Sequence, residues 1–159
     1  MSVAFTKEGD LEATAADLPD RPISPHPNLV TAAGLAALDE ALAAAKAAYV
    51  TAQQGDVQAD RTAMARATRD LRYYSARRAS AQPMDPPADD GVVRFGSVVA
   101  FEREDGRRQS FRIVGEDEAD PAAGSISYVS PIARALMGKA EGDVVAVAGG
   151  EVEILSVGV

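Results

Sequence analysis

The sequence contains no cysteine, so disulfides and thiolate metal sites, a zinc ribbon among them, are excluded. Aromatic residues make up only 5% of the chain, and much of its 47% hydrophobic content is alanine, which favours helix more than it builds a deep core. No run approaches the roughly eighteen continuous apolar residues of a membrane span. The single histidine, His26, stands between Pro25 and Pro27 with no neighbouring ligands, the setting of an exposed linker residue rather than a catalytic base. The stretch Met1 to Asp20 lacks the basic-then-apolar pattern of a secretory signal, and a cytoplasmic address is the expectation. Positive charge is also in deficit. At a net charge of −8, binding of free duplex nucleic acid is not the expected main activity, whereas docking on a basic protein complex suits the chain.

The chain's 159 residues allow one ordinary domain or two small ones. Residues 1–30 form a lead in which Pro19, Pro22, Pro25 and Pro27 exclude a helix, and no apolar periodicity replaces it; a flexible, polyproline-like segment is expected. Thr31 then serves as N-cap to a run carrying Leu35, Leu38, Leu42, Ala45, Tyr49 and Ala52 at alternating spacings of three and four, the rhythm of a coiled-coil seam. Gly55 breaks the run. A second helix is predicted to restart at Asp56 with Val57, Asp60, Met64, Ala67, Leu71, Tyr74, Arg78 and Ala81 in the same rhythm, ended by Pro83, Pro86 and Pro87. Residues 31–82 therefore read as an antiparallel helical hairpin, and 83–91 as a Pro- and Asp-rich linker.

Beyond the linker the period changes to two. Val92–Phe101 reads as strand, Asp105-Gly106 as a two-residue hairpin turn and Gln109–Val114 as the return strand. Ser125–Val129 makes a third strand, and Val144–Ala148 with Val152–Val157 a second hairpin across Gly149-Gly150. Between them Ser130 has the hydroxyl of an N-cap, Pro131 suits the first helical position, and Gly138 suits the left-handed residue that closes a two-turn helix. Residues 92–159 are thus expected as a small, mostly antiparallel sheet with one short helix on its open face, and the whole chain as α+β.

Two clusters carry charge. Glu116, Asp117, Glu118 and Asp120 place four carboxylates in five positions, which suits a solvated acidic loop better than a hard-cation site, since EF-hand spacing is absent. Arg61, Arg66, Arg69, Arg72, Arg77 and Arg78 make the second arm basic, with Arg61, Arg69 and Arg72 near one side; a solvated face partnered by Asp70 is the plain reading.

The string Gly115-Glu116-Asp117-Glu118-Ala119-Asp120, a strand-length gap, and Ser130-Pro131-Ile132-Ala133-Arg134-Ala135-Leu136-Met137-Gly138-Lys139 together resemble the carboxy-terminal core of the Gre transcription elongation factors, the GreA/GreB family. The resemblance continues through Glu141-Gly142-Asp143-Val144-Val145, and Thr31-Ala32-Ala33-Gly34-Leu35 looks like the family's T-x-x-G opening of the first helix. It implies an FKBP-like sheet domain that docks on RNA polymerase through Asp117, Glu118, Asp120, Ser130, Pro131 and Ile132. It also implies a coiled coil inserted into the polymerase's secondary channel, shorter here in its first arm than is usual. Isomerase activity does not follow from the shared fold.

In the family the hairpin tip reads G-D-L-S-E-N, and its carboxylates share a Mg²⁺ with the polymerase active site so that a backtracked transcript is cut. Here the tip reads Gly55-Asp56-Val57-Gln58-Ala59-Asp60: Asp56 matches, Ala59 stands at the Glu position, and Asp60 follows it one helical turn from Asp56. The resemblance thus makes Asp56 and Asp60 the catalytic and metal-holding residues, acting only in complex with polymerase and with no cofactor of the chain's own. Apart from it, Asp56 is a good N-cap. The resemblance also offers Arg61, Arg69 and Arg72 as contacts to the nascent RNA 3′ end or the channel wall. The chain is expected as a monomeric accessory factor, not itself an enzyme and with no membrane attachment. The alternatives are a non-cleaving channel regulator like Rnk, a coiled-coil adaptor that homodimerises through Leu35, Leu38, Leu42, Met64, Leu71 and Tyr74, and a free-standing hydrolase built on the acidic loop.

Overall fold

The computed structural model describes residues 18–55 and 60–159, with the side chain of Asp60 outside the description. Residues 1–17 of the lead and Asp56 at the tip therefore lie outside the described residues. The chain divides into two compact units. A helical unit comprises Leu38–Ser80 with the lead up to Pro25, and a sheet unit comprises His26–Ala37 with Ala81–Val159.

In the helical unit, α1 (Ala32–Gln54, its first six residues belonging to the sheet unit) and α2 (Asp60–Ser80) run antiparallel. Asp39 near the start of α1 pairs with Arg78 near the end of α2 at 2.5 Å, while Ala52 and Gln53 share a groove with Arg61 and Met64 at the other end. Leu38, Ala45 and Ala52 are buried at seven-residue spacing and Ala67 answers them from α2. Leu42, Tyr49, Met64, Leu71 and Tyr74 are half-buried beside them, as the alternating seam predicts. Arg77 departs from the expected basic face: it is only 2% exposed. No helix among the described residues is long and apolar enough to cross a membrane.

The sheet unit opens where an unstructured lead was expected. Leu29–Val30 (β1) pairs in parallel with Gln82–Pro83 (β2), a strand pair built from the end of the lead and the start of the linker. The ladder donors are Gln82 N–H to the Asn28 carbonyl at 2.8 Å and Met84 N–H to the Val30 carbonyl at 2.9 Å. Pro83 falls between them, at a position from which no donor is required. Val30, 2% exposed, anchors the pair.

The main sheet has the order β5-β4-β3-β7-β6, with β3 Val98–Arg103, β4 Arg108–Val114, β5 Ser125–Ser127, β6 Val144–Val147 and β7 Gly150–Gly158. All neighbours are antiparallel except β4 and β5. The predicted first strand starts later than expected because Phe95-Gly96 turn the chain, with Gly96 at φ +89°, and Val92 makes only a bridge to Ala140. The predicted two-residue turn at Asp105-Gly106 is a three-residue loop, Glu104–Gly106. Arg103 N–H donates to the Arg107 carbonyl across it, and Gly106 supplies the left-handed residue that such loops need.

One face of this sheet is the core. Val99 and Phe101 of β3, Ile113 of β4, Ile126 of β5, Val145 of β6 and Val152, Ile154 and Val157 of β7 are all buried, and α3 (Pro131–Leu136) closes it with Ala133 and Leu136. Period two would send Ser156 inward after Val152 and Ile154. The pairing instead shifts between Ala100, opposite Ser156, and Phe101, opposite Ile154, which leaves Leu155 as a bulge and turns Val157 to the core.

The bulge gives a test. Leu155→Ala should change stability by no more than about 1 kcal/mol, since the side chain is 38% exposed. Inserting one residue after Leu155 should cost several-fold more, about 3 kcal/mol or above, because Ser156 and Val157 then exchange faces. Urea unfolding followed by circular dichroism distinguishes the two.

Candidate functional site

The acidic loop begins at Gly115, directly after β4, and its carboxylates go separate ways. Glu118 reaches the start of α1. Its carboxylate accepts the Thr31 backbone N–H at 3.0 Å and the Thr31 hydroxyl in a short hydrogen bond, while the same hydroxyl accepts the Gly34 N–H at 3.0 Å. Thr31 is thus the N-cap, as predicted. The reciprocal acceptor that a capping box takes from its own third helical residue comes here from Glu118. Gly34 stands at that third position, and a Cβ on it would lie 1.9 Å from Glu118 Oε2. Gly115 is needed for a similar reason, since its Cβ would fall 2.2 Å from the Leu29 carbonyl oxygen.

Glu118 therefore has a structural task and is half-buried. Asp117 and Asp120 are exposed. Asp120 is placed by its backbone: its N–H donates to Ser125 Oγ at 2.9 Å, and its carbonyl accepts from Ala123 and Ser125 at 3.0 Å each. Among the described residues no three Asp, Glu or His side chains converge to hold a metal ion.

The short helix α3 presents its residues unequally. The Ser130 hydroxyl accepts the Ala133 N–H at 3.4 Å and so acts as the cap. Ile132 is half-buried against the core, while Pro131 and Arg134 are exposed. His26 Nε2 lies 3.4 Å from the Arg134 guanidinium, and the Tyr128 hydroxyl donates to the Pro27 carbonyl. The residues from His26 to Pro27 thus lie beside the helix and its preceding turn.

In the helical unit, Arg61, Arg69 and Arg72 line one groove of about 730 Å³, together with Ala52, Gln53, Met64, Ala65 and Thr68. Leu18 and Asp20 of the lead line it too. Asp20 pairs with Arg72 at 3.2 Å, Arg69 lies 3.8 Å from Asp70, and Arg21 lies 3.6 Å from Asp70. The Arg21 guanidinium sits 3.8 Å over the Tyr73 ring and 5.2 Å from that of Tyr74. Its pKa is raised above the usual value, first by a hydrogen bond with Tyr74 and then by the neighbouring tyrosines and Asp70, against the lowering effect of burial. Asp60 opens α2, and its carboxylate lies outside the described residues, as does Asp56.

Sequence reasoning missed two functional placements: Glu118 as a cap, and Asp20-Arg21 on the basic arm. The Thr-x-x-Gly pattern hinted at the first, since a helix that opens with Gly at its third position lacks its own capping-box acid. No sequence signal pointed to the second.

The cap predicts a change of sign. Gly34→Ala alone should destabilise the sheet unit by about 1–2 kcal/mol, because displacing Glu118 loses charge-assisted hydrogen bonds worth more than the gain in helix propensity. In a Glu118→Ala background, Gly34→Ala should instead stabilise by up to about 1 kcal/mol. A double-mutant cycle by urea unfolding measures the coupling.

A family model described as "Transcription elongation factor, GreA/GreB, C-term" matches residues 88–158. The chain is 38% identical over 111 residues to the transcription elongation factor GreB of Neisseria meningitidis serogroup B, covering 66% of this chain and 68% of that protein. It is 52% identical over 79 residues to GreA of Alkalilimnicola ehrlichii, covering 46% of this chain and 50% of that one. Among solved structures, the GreA factor homolog 1 (Gfh1) of Thermus thermophilus is 22% identical with a TM-score of 0.39, over 83% of this chain and 99% of its own. The extent and identity of the GreB match decide the question: the chain belongs to the GreA/GreB family of transcription elongation factors.

Proposed function

We propose that this chain is an accessory factor of RNA polymerase that docks through its sheet unit and inserts its helical hairpin into the secondary channel. The observation that carries the reading is the GreA/GreB match in a chain that also builds an antiparallel helical hairpin. The docking surface is the exposed part of the acidic loop and α3: Asp117, Asp120 and Pro131, with Arg134 beside them. Ser130, Ile132 and Glu118 shape that surface from beneath. On the hairpin, the groove of Arg61, Arg69 and Arg72 faces the RNA 3′ end. The adaptor alternative is disfavoured because Leu38, Ala45, Ala52 and Ala67 are already buried within one chain.

At the tip, Asp56 and Asp60 carry the oxygens available to share a Mg²⁺ with the polymerase active site, and such an ion would supply charge stabilisation for cutting a phosphodiester. Ala59 offers no oxygen ligand where the family has Glu. That residue favours a second reading of the same complex, in which the hairpin occupies the channel and cuts little.

The test uses the cognate core polymerase and a backtracked elongation complex. Saturable binding is expected, weakened about tenfold by Asp117→Lys with Asp120→Lys, two charge reversals at a complementary surface. Transcript cleavage should be weak with the natural tip and rise by about a hundredfold in Ala59→Glu. Absence of polymerase binding would sink the whole reading. Fast cleavage by the natural tip, abolished by Asp56→Ala and Asp60→Ala, would replace channel occupancy with a working cleavage factor.

A further inference from the structure

Asp20 and Arg21 sit side by side on α2 in an arrangement that has a chemical counterpart. The Asp20 carboxylate occupies the Arg72 guanidinium at 3.2 Å. The planar Arg21 guanidinium lies 3.8 Å over the face of Tyr73, and Tyr73 and Tyr74 hold each other edge to face at 5.2 Å. An anion on an arginine next to a flat group on a tyrosine is what one nucleotide of a single strand presents, phosphate and base. Asp20 also lines the groove of Arg61, Arg69 and Arg72, where it and Leu18 form part of the wall. Glu8, Asp10, Glu12 and Asp17 keep the sequence upstream of Asp20 acidic, against one Lys7.

We propose that Asp20-Arg21 is a built-in nucleotide mimic. The surface it covers, Arg72 and Tyr73 beside Arg61 and Arg69, is a site for single-stranded RNA from which this strap must withdraw before RNA enters. The proposal rests on the reading of the basic arm as an RNA contact and adds its regulation.

The strap is held weakly enough to exchange. The side chains of Asp20 and Arg72 are 61% and 67% exposed, and exposed ion pairs are worth little. Arg21 is held more firmly, through Asp70 at 3.6 Å and the tyrosine face. A polyanion that meets three arginines and a stacking ring at once can outcompete one carboxylate and one guanidinium. The chain's net charge of −8 keeps duplex affinity low, and a self-occupied site lowers stray RNA binding further.

The experiment titrates a fluorescein-labelled oligouridylate with the full-length chain, the Asp20→Ala/Arg21→Ala variant, and that variant carrying Arg72→Ala and Tyr73→Ala, at low salt. The strap-released variant should bind about fivefold more tightly than the natural chain, as loss of a weak ion pair and a cation–π contact allows. The further pair of substitutions should abolish the gain. Backbone amides of residues 18–25 should exchange faster with deuterium when RNA is bound. Equal affinity of the natural and strap-released chains, no RNA binding by either, or unchanged exchange at 18–25 would each overturn the proposal. Binding of the same proteins to core polymerase separates the two ideas. Normal polymerase binding with no RNA effect removes the strap alone, whereas loss of polymerase binding by the natural chain removes the functional reading.

Discussion

The hydrogen bonds that Thr31 gives to Glu118 join two parts of the chain 87 residues apart. A helix start leaves backbone N–H groups without intrahelical partners, and a local sequence ordinarily supplies the acceptors. Here Thr31 satisfies the Gly34 N–H, and the sheet unit supplies the carboxylate that satisfies Thr31 itself. Several other choices depend on that contact. Gly34 must lack a side chain because Glu118 occupies the space, and Gly115 must lack one because the Leu29 carbonyl lies against it. The pairing of β1 with β2 brings Leu29–Val30 into the sheet unit, one residue before the capped threonine. The first turns of α1 therefore belong with the sheet, although the helix itself continues into the helical unit.

This arrangement divides the acidic loop between support and surface. Four neighbouring carboxylates in solution repel one another, and the fold lowers that cost by giving Glu118 two donors and directing Asp117 and Asp120 outward. Helix α3 is divided in the same way. Ser130 caps it, Ala133 and Leu136 fill the core, Ile132 packs at the margin, and Pro131 and Arg134 are exposed. A motif that reads as one docking string is in physical terms two interleaved sets of residues, one facing in and one facing out.

Electrostatics organise the helical unit differently. The second arm of this acidic chain carries six arginines, and three of them line a groove whose wall includes the lead's own aspartate. Pro19 and Pro22 flank Asp20 and Arg21 and exclude a helix there, and the two residues reach Arg72, Asp70 and Tyr73 along the helix. Arg77, in the same arm, is buried and takes no part in this surface.

Local rules made much of the architecture legible. The alternating seam from Leu38 to Ala52, the Ser130-Pro131 helix start, the period-two strands and the family strings all follow from neighbours within a few residues. These features alone specify a helical hairpin and a small sheet, because hydrophobic period, caps and breakers act at short range. What the local pattern misjudged required a partner from elsewhere. The Leu155 bulge exists only because β3 fixes the register opposite it, and the β1–β2 ladder only because distant segments meet. Sequence thus determined which elements form and which family the chain belongs to. Tertiary structure alone decided that Glu118 meets Thr31 at the start of α1, and that Asp20-Arg21 lies on the basic arm. The physical reason is that a hydrogen bond or an ion pair is set by distance in space, and separation along the chain carries no trace of it.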